Sequence, residues 1–564
     1  MTNNLRASKN LAQYSRFSKI TTKKFYQLFL AIIGIALLMI AFPLSSKPPN
    51  EFYTLAASGL ELQNSFQDLH LIKGIFSLKS SEVFYPQWLQ SLYCAELLKG
   101  GMSVITACSV LWETVFAILL TLLYKKKCSN VCEAFFLAAL STFFSGSFTV
   151  TVLSDCFILS LLCLELLLIE QSAETKNTKW LIGLPVISAL AVNLHATIWF
   201  VFLIFPFIYV LPFGLGKLYP IQKPKMRIKP ILISVTGMLI TGLVNPYGFN
   251  LFHSLINIYS GHYEKILNLE EYGSAFQNPY GALCTFLIFI IFLVRFFTKK
   301  LQANEIYGTI LFLILCGFVS RNSMFFPLAL SFVAGRYTIS YYAERFMNSF
   351  NKNAKTRVKA SESEEFVSQY ASAISFLLAA CIIFSVYGTF FKVIPNVQKN
   401  FYAVSKQSVT DADFLNSGLD IHSHKQAVLY LKQIGADPDS VILNEIHAGG
   451  YLKLSGFKKV YVDTNYEIWN LPVTKGETFS GTETVLSEYS KLFGTETSMS
   501  DEEIKNLLIH YQADFILAGP ETQIGIYADT HPSDFEKLSY PDSESESERI
   551  GLYKVRTLET EVKE

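Results

Sequence analysis

Between Phe25 and Ile394 the chain repeats blocks of about 20 apolar residues, and its Lys/Arg clusters fall on alternate connections between those blocks. A helix that long matches the roughly 30 Å hydrocarbon core of a bilayer, at about 1.5 Å per residue. Basic clusters mark the side that is not translocated, so charge orients the chain. From about Val397 the apolar blocks stop and short helix and strand signals alternate. The fold class this predicts is an α-helical polytopic membrane bundle of about eleven spans followed by a small extracytoplasmic α/β domain. Composition agrees: 51% hydrophobic residues are too many for a soluble protein, and 16% charged residues are too many for one wholly in membrane.

The basic tail (Arg6, Lys9, Arg16, Lys19, Lys23, Lys24) is placed inside, so residues 1–24 are read as cytoplasmic. The block 25–44 is longer than a signal-peptide core and lacks a small-x-small cleavage site, which makes it an uncleaved span. An outer loop, 45–101, follows. Returning spans then bring Lys125–Lys127, Lys176 and Lys179, Lys217–Lys229, Arg295–Lys300 and Arg345–Lys359 to the inner side. The stretch 180–214 is too long for one span and is interrupted at Asn193, His195 and Pro206, so it reads as two. The membrane domain thus covers 25–394, and 395–564 forms a compact outer domain expected to be stable by itself. Strands Val441–Leu443, Val460–Val462 and Phe515–Leu517 are expected at its centre, because they are continuous apolar runs. The acidic run Ser543–Glu548 reads as a solvated turn.

A net charge of +1 gives no case for a nucleic-acid partner. All nine cysteines precede the outer domain, and none has zinc or redox spacing, so no metal site is expected. The chain has no Asn-x-Ser/Thr sequon, which leans toward a bacterial source and a bacterial plasma membrane, with the N-terminus cytoplasmic.

Several residues could carry chemistry. The outer loop holds Glu51, Glu61, Asp68, His70 and Glu82, and ends in Pro86-Gln87-Trp88-Leu89. A carboxylate where a bundle meets water can act as a base, although plain solvent exposure is the commoner state. Its aromatic and apolar surface (Phe84, Tyr85, Trp88, Leu89, Tyr93) predicts a loop folded back on the membrane. Asn193 and His195 lie within an apolar stretch, where polar groups either line a cavity or pair to stabilise a broken helix. Ser320-Arg321-Asn322 joins two apolar blocks; its guanidinium suits a phosphate, or simply snorkels. Asn245-Pro246-Tyr247-Gly248 ends a span and by itself is a turn. Gly449-Gly450 opens a helix, and tight packing explains it without a ligand.

Taken in order, these segments resemble a bacterial family of polytopic membrane proteins related to the GT-C glycosyltransferase superfamily. Glu51-Phe52-Tyr53 through Gly59 matches the family's acidic segment after span one, with Glu for Asp and no His, and Asp68 matches a second acid. The family's His-Glu-Trp-Leu stands here as Pro86-Gln87-Trp88-Leu89, and its Asn-x-His-Gly as Asn193-Leu194-His195-Ala196. Asn-Pro-Tyr-Gly is intact at 245–248 and Arg-Asn at 321–322. Glu445 through Leu452 and Val460 through Asn465 match two segments of the outer domain.

The resemblance implies transfer of a sugar from a polyprenyl-phosphate-linked donor to cell-envelope material on the outer face. It implies Glu51 and Asp68 as catalytic acids and His195, Asn193, Arg321, Asn322 and Trp88 as substrate-binding residues. It leaves a divalent ion open. The partners it implies are membrane lipid, the lipid-linked donor and an envelope acceptor. Two alternatives stand beside it: a non-catalytic envelope scaffold, and a transporter or flippase. The second expects internal repeats, and the chain shows none. Geometry separates enzyme from scaffold, since an enzyme needs Glu51 or Asp68 facing an enclosed pocket across from His195 or Arg321.

Overall fold

The computed structural model describes residues 27–38, 50–64, 85–127, 131–146, 154–252 except 217 and 218, 255–256, 279–297, 301–318, 324–334, 422–465, 469, 478, 484–495, 499–540 and 550–556. In the bundle these form α1 (Gln27–Leu38), α2 (Asn50–Asn64), α3 (Trp88–Lys125), α4 (Val131–Gly146), α5 (Ser154–Thr175), α6 (Gly183–Leu194), α7 (Trp199–Ile204), α8 (Ile228–Gly242), α9 (Pro279–Phe297), α10 (Ala303–Phe318) and α11 (Phe326–Ala334). The outer domain follows as α12 (His422–Gln433), β1 (Val441–Asn444), α13 (Gly449–Leu454), β2 (Lys459–Val460), α14 (Val485–Phe493), α15 (Asp501–Tyr511), β3 (Phe515–Ala518), α16 (Gln523–Thr530), β4 (Phe535–Lys537) and β5 (Gly551–Val555).

Two described segments, Ala107–Lys125 and Cys156–Thr175, are helices both long and apolar enough to cross a membrane, where the sequence predicts about eleven. Seven shorter apolar helices accompany them. Local breaks account for part of the shortfall. His195 leaves helical geometry at φ −155°, ψ 81°, so α6 ends there and the chain returns through short 3₁₀ turns and α7 to Tyr209. The stretch 180–214 is therefore two passes, and Trp199 Nε1 donates to Ser188 Oγ between them at 2.7 Å. α3 begins at Trp88, fifteen residues before the span expected at 103–124, and is kinked at Gly101. There φ is +76°, a value open to glycine. Within the stretch 45–101 the described residues are helical at 50–64 and 88–100, with α2 packed along the first part of α3.

Acids gather the basic residues at one end of the bundle. Lys126 pairs with Glu174 at 2.6 Å, Lys127 with Glu305 at 3.3 Å, Lys225 with Glu170 at 2.5 Å, and Arg295 with Glu305 at 3.6 Å. These pairs join the ends of α3, α5 and α9 to the start of α10. The start of α3 and the ends of α6 and α8 lie at the opposite end, where the sheet domain sits.

The sheet has the order β2-β1-β3-β5-β4, with parallel pairing among β2, β1 and β3 and antiparallel pairing among β3, β5 and β4. β3 is central as expected and β1 is internal, but β2 is an edge strand. Its apolar run is buried by helices instead: Tyr461 packs against Tyr489, Phe493 and Tyr511, and Val462 joins the same cluster. A continuous apolar run reports burial on both faces, whatever supplies it. The run Ser543–Glu548 lies outside the described residues. The sheet's core does not stop at its own elements. Phe52, Tyr53, Leu55 and Ala56 of α2 and Cys94 and Leu97 of α3 share a cluster with Ile442, Leu517 and Leu552. Leu62 and Tyr85 join the cluster on its other side.

Candidate functional site

Three segments far apart in sequence meet at the end of the bundle where the sheet domain sits. The chain turns at Tyr85-Pro86-Gln87 into α3, and Ala196 N donates to the Pro86 carbonyl at 3.1 Å. Gln87 Nε2 lies 3.2 Å from His195 Nε2. Where that amide donates, the imidazole proton sits on Nδ1, which meets Thr197 Oγ1 at 2.7 Å. Trp88 Nε1 donates to Asn193 Oδ1 at 2.9 Å, and Asn193 Nδ2 donates to the Val244 carbonyl at 2.7 Å. Tyr247 closes the ring, its hydroxyl accepting from Tyr85 N at 3.3 Å. Asn245 holds its own turn, with Oδ1 accepting from Tyr247 N and Nδ2 donating to the Gly242 carbonyl.

Of these residues Trp88, Asn193 and Asn245 line a groove of about 490 Å³ between α3, α6 and α8, together with Leu89, Leu190, Val244 and Pro246, whereas Gln87 and His195 are buried and do not line it. Its flanks continue as outward-facing apolar surface at Val186, Ile240 and Val244. The Gln87 amide oxygen is buried and has no partner among the described residues. A buried acceptor in that state is ready for a hydroxyl or other donor.

A second polar cluster joins α2 to the sheet domain. Thr54, Ser58 and Glu61 recur at helical spacing on one face of α2, with Glu51 one turn before them. Thr464 Oγ1 donates to Thr54 Oγ1 at 2.8 Å, and Asn465 Nδ2 donates to Ser58 Oγ at 3.1 Å. Tyr85 OH donates to Glu61 Oε2 at 3.2 Å. Lys453 Nζ lies 2.8 Å from Asp463 Oδ2 and 4.0 Å from Glu61 Oε1. Asp463 Oδ1 accepts in turn from Trp469 Nε1 and Asn465 N, both at 2.9 Å. Burial would lower the Lys453 pKa, but the Asp463 and Glu61 carboxylates outweigh it and hold the ammonium above the ordinary lysine range. Burial, then the charges of Glu61 and Asp463, pushes the Tyr85 hydroxyl up, so it stays protonated.

Of the residues expected at a site, the structure brings together Trp88, Asn193 and His195. Glu51 is half-buried near Cys94, on the α2 face that meets the sheet domain. It lies about 15 Å along the helix from Glu61. Glu51 is not among the residues that line the groove. Asp68, Arg321 and Asn322 lie outside the described residues. Among the described residues no three His, Cys, Asp or Glu side chains are grouped to hold a metal ion. The sequence reading did not single out Lys453, Asp463 and Tyr85 as site residues. The one available signal was Asp463 directly after an apolar strand, where a buried carboxylate needs a partner.

No family model matches the sequence, and no curated protein matches it. Solved structures do. The apo oligosaccharyltransferase of Archaeoglobus fulgidus shares 10% identity over 93% of this chain and 75% of that one, with a TM-score of 0.50. The same enzyme tethered to an acceptor peptide containing the NVT sequon gives 10% identity, 93% and 74% coverage and a TM-score of 0.49. The A. fulgidus oligosaccharyltransferase AglB with an inhibitory peptide and a dolichol-phosphate gives 10%, 93% and 75%, and 0.47. The likeness to the apo structure is one of fold. In its overall architecture, a helical bundle carrying a small sheet domain, the chain is similar to that oligosaccharyltransferase.

Proposed function

We propose that the chain is a membrane glycosyltransferase of the GT-C type, moving a sugar from a polyprenyl-phosphate-linked donor to cell-envelope material on the outer face. The observation that carries this reading is the hydrogen-bonded Trp88–Asn193 pair set in the lining of an apolar groove. An isoprenyl chain fits the apolar lining, and Trp88 and Asn193 are the polar groups proposed to meet the sugar. His195, Arg321 and Asn322 are the residues that the family resemblance supplies to hydrogen-bond the phosphate. In the reaction an acceptor hydroxyl attacks the anomeric carbon and the bond from that carbon to the phosphate oxygen breaks. The hydroxyl proton passes to a carboxylate, and polyprenyl phosphate leaves with the bonding pair. Glu51 and Asp68 are the proposed acids. The proposed division is a cytoplasmic tail at 1–24, membrane domain at 25–394 and outer domain at 395–564, in a bacterial plasma membrane.

Purification in native lipid followed by mass spectrometry tests the reading. A polyprenyl phosphate or its glycoside should co-purify, and Trp88→Ala and Asn193→Ala should lose it. Recovery of bulk phospholipid alone would leave the non-catalytic scaffold as the better reading. Reporter tags should place Lys126 and Lys223 inside and Gly59 outside.

A further inference from the structure

The groove wall and the sheet domain are not independent, because Tyr85 belongs to both. Its backbone amide and the Pro86 carbonyl pin the turn that leads through Gln87 to Trp88, which lines the groove. Its side chain is buried and reaches the other way, to Glu61 and to Ser58. Each of those groups is held by the loop at 463–465: Ser58 directly by Asn465, and Glu61 through Lys453, whose main partner is Asp463. Among the described contacts between α2 and the sheet domain, the Lys453–Glu61 pair is the one between opposite charges. Lys453 is also the central charge of the cluster, with two carboxylates on one ammonium, and its side chain is only 9% exposed.

We infer that Lys453 is a positioning residue: through Glu61 and Tyr85 it fixes the turn that carries Gln87 and Trp88, so the outer domain sets the geometry of the groove wall. The inference deepens the proposed function and rests on it for its significance. The geometry it asserts exists with or without a lipid substrate.

Hydrogen exchange on the full-length protein in detergent, without added lipid, tests it. The reporter is the Ala196 amide, bonded to the Pro86 carbonyl, and the internal control is the set of β3 amides. Lys453→Met and Glu61→Gln should speed exchange at Ala196 about tenfold while β3 stays protected, and Lys453→Arg should restore protection. A purely structural role for Lys453 gives the reverse pattern, with β3 exposed and Ala196 unmoved, and that result overturns the inference. Should Lys453→Met unfold the sheet domain, Glu61→Gln decides alone, because Glu61 is 43% exposed and its loss need not unfold anything. Unchanged Ala196 exchange in Glu61→Gln overturns the inference too. Loss of lipid binding without any change at Ala196 would count against the coupling and leave the glycosyltransferase reading standing.

Discussion

The indole of Trp88 donates to Asn193 Oδ1 at 2.9 Å, joining residues 105 positions apart at the mouth of an apolar groove. Trp88 opens α3 and Asn193 stands one residue before the end of α6, so this single bond fixes how the two helices meet. Asn193 then passes the constraint to α8 through the Val244 carbonyl. Trp88→Phe keeps the ring and removes the donor. The expected cost is about 1 kcal/mol of stability, typical of one hydrogen bond, with a clear loss of co-purifying lipid. Thermal unfolding and lipid mass spectrometry on the same preparation check both, and retention of full lipid occupancy would remove Trp88 from the site.

Two glycines set how closely α2 can approach its neighbours. A Cβ on Gly59 would stand 2.0 Å from the Ser91 carbonyl oxygen, and one on Gly450 would stand 2.7 Å from Thr54 N. Both obstacles are backbone, which cannot rotate away. Gly59→Ala and Gly450→Ala should each destabilise by about 1–3 kcal/mol through forced displacement. Protease sensitivity near α2 should rise, whereas Gly435→Ala, where a Cβ meets nothing, should strain only its own turn.

The outer domain should fail to fold well without α2. Phe52, Tyr53 and Leu55 are buried in the cluster it shares, at about 2 kcal/mol for each side chain removed. A fragment from residue 395 onward should lack a sharp urea transition, and one preceded by residues 50–64 on a flexible linker should regain it. Equal cooperativity in the two fragments would show the sheet domain self-sufficient.

Alkaline pH should loosen the contact between α2 and the sheet domain. The folded-state pKa of Lys453 is raised, so its contribution is complete below the ordinary lysine value of about 10.4 and fades as pH climbs through the folded value. Buried Tyr85 and Tyr461, also raised, act in the same direction, since only unfolding frees them to ionise. Stability measured from pH 7 to 11 should therefore hold at first and fall at the top of the range. The fall should be shallower in Lys453→Met.

The periodicity and charge of the sequence determined the helical bundle, the gathering of basic residues at one end, the double pass at 180–214 and the elements of the sheet domain. Those features follow from local rules: apolar length, helix breakers and the alternation of short runs. It also pointed to Asn193 and His195, because polar groups in an apolar stretch need partners, and its family resemblance pointed to Trp88. It could not place β2 at an edge, since burial by helices and burial by strands leave the same apolar run. Nor could it choose among the acids of the outer loop. Glu51 and Glu61 look alike in sequence, and only the docking of α2 onto Lys453 and Tyr85 separates them. That choice belongs to tertiary structure because a carboxylate's role is set by the charges within a few ångströms of it, and here those charges come from residues nearly four hundred positions away.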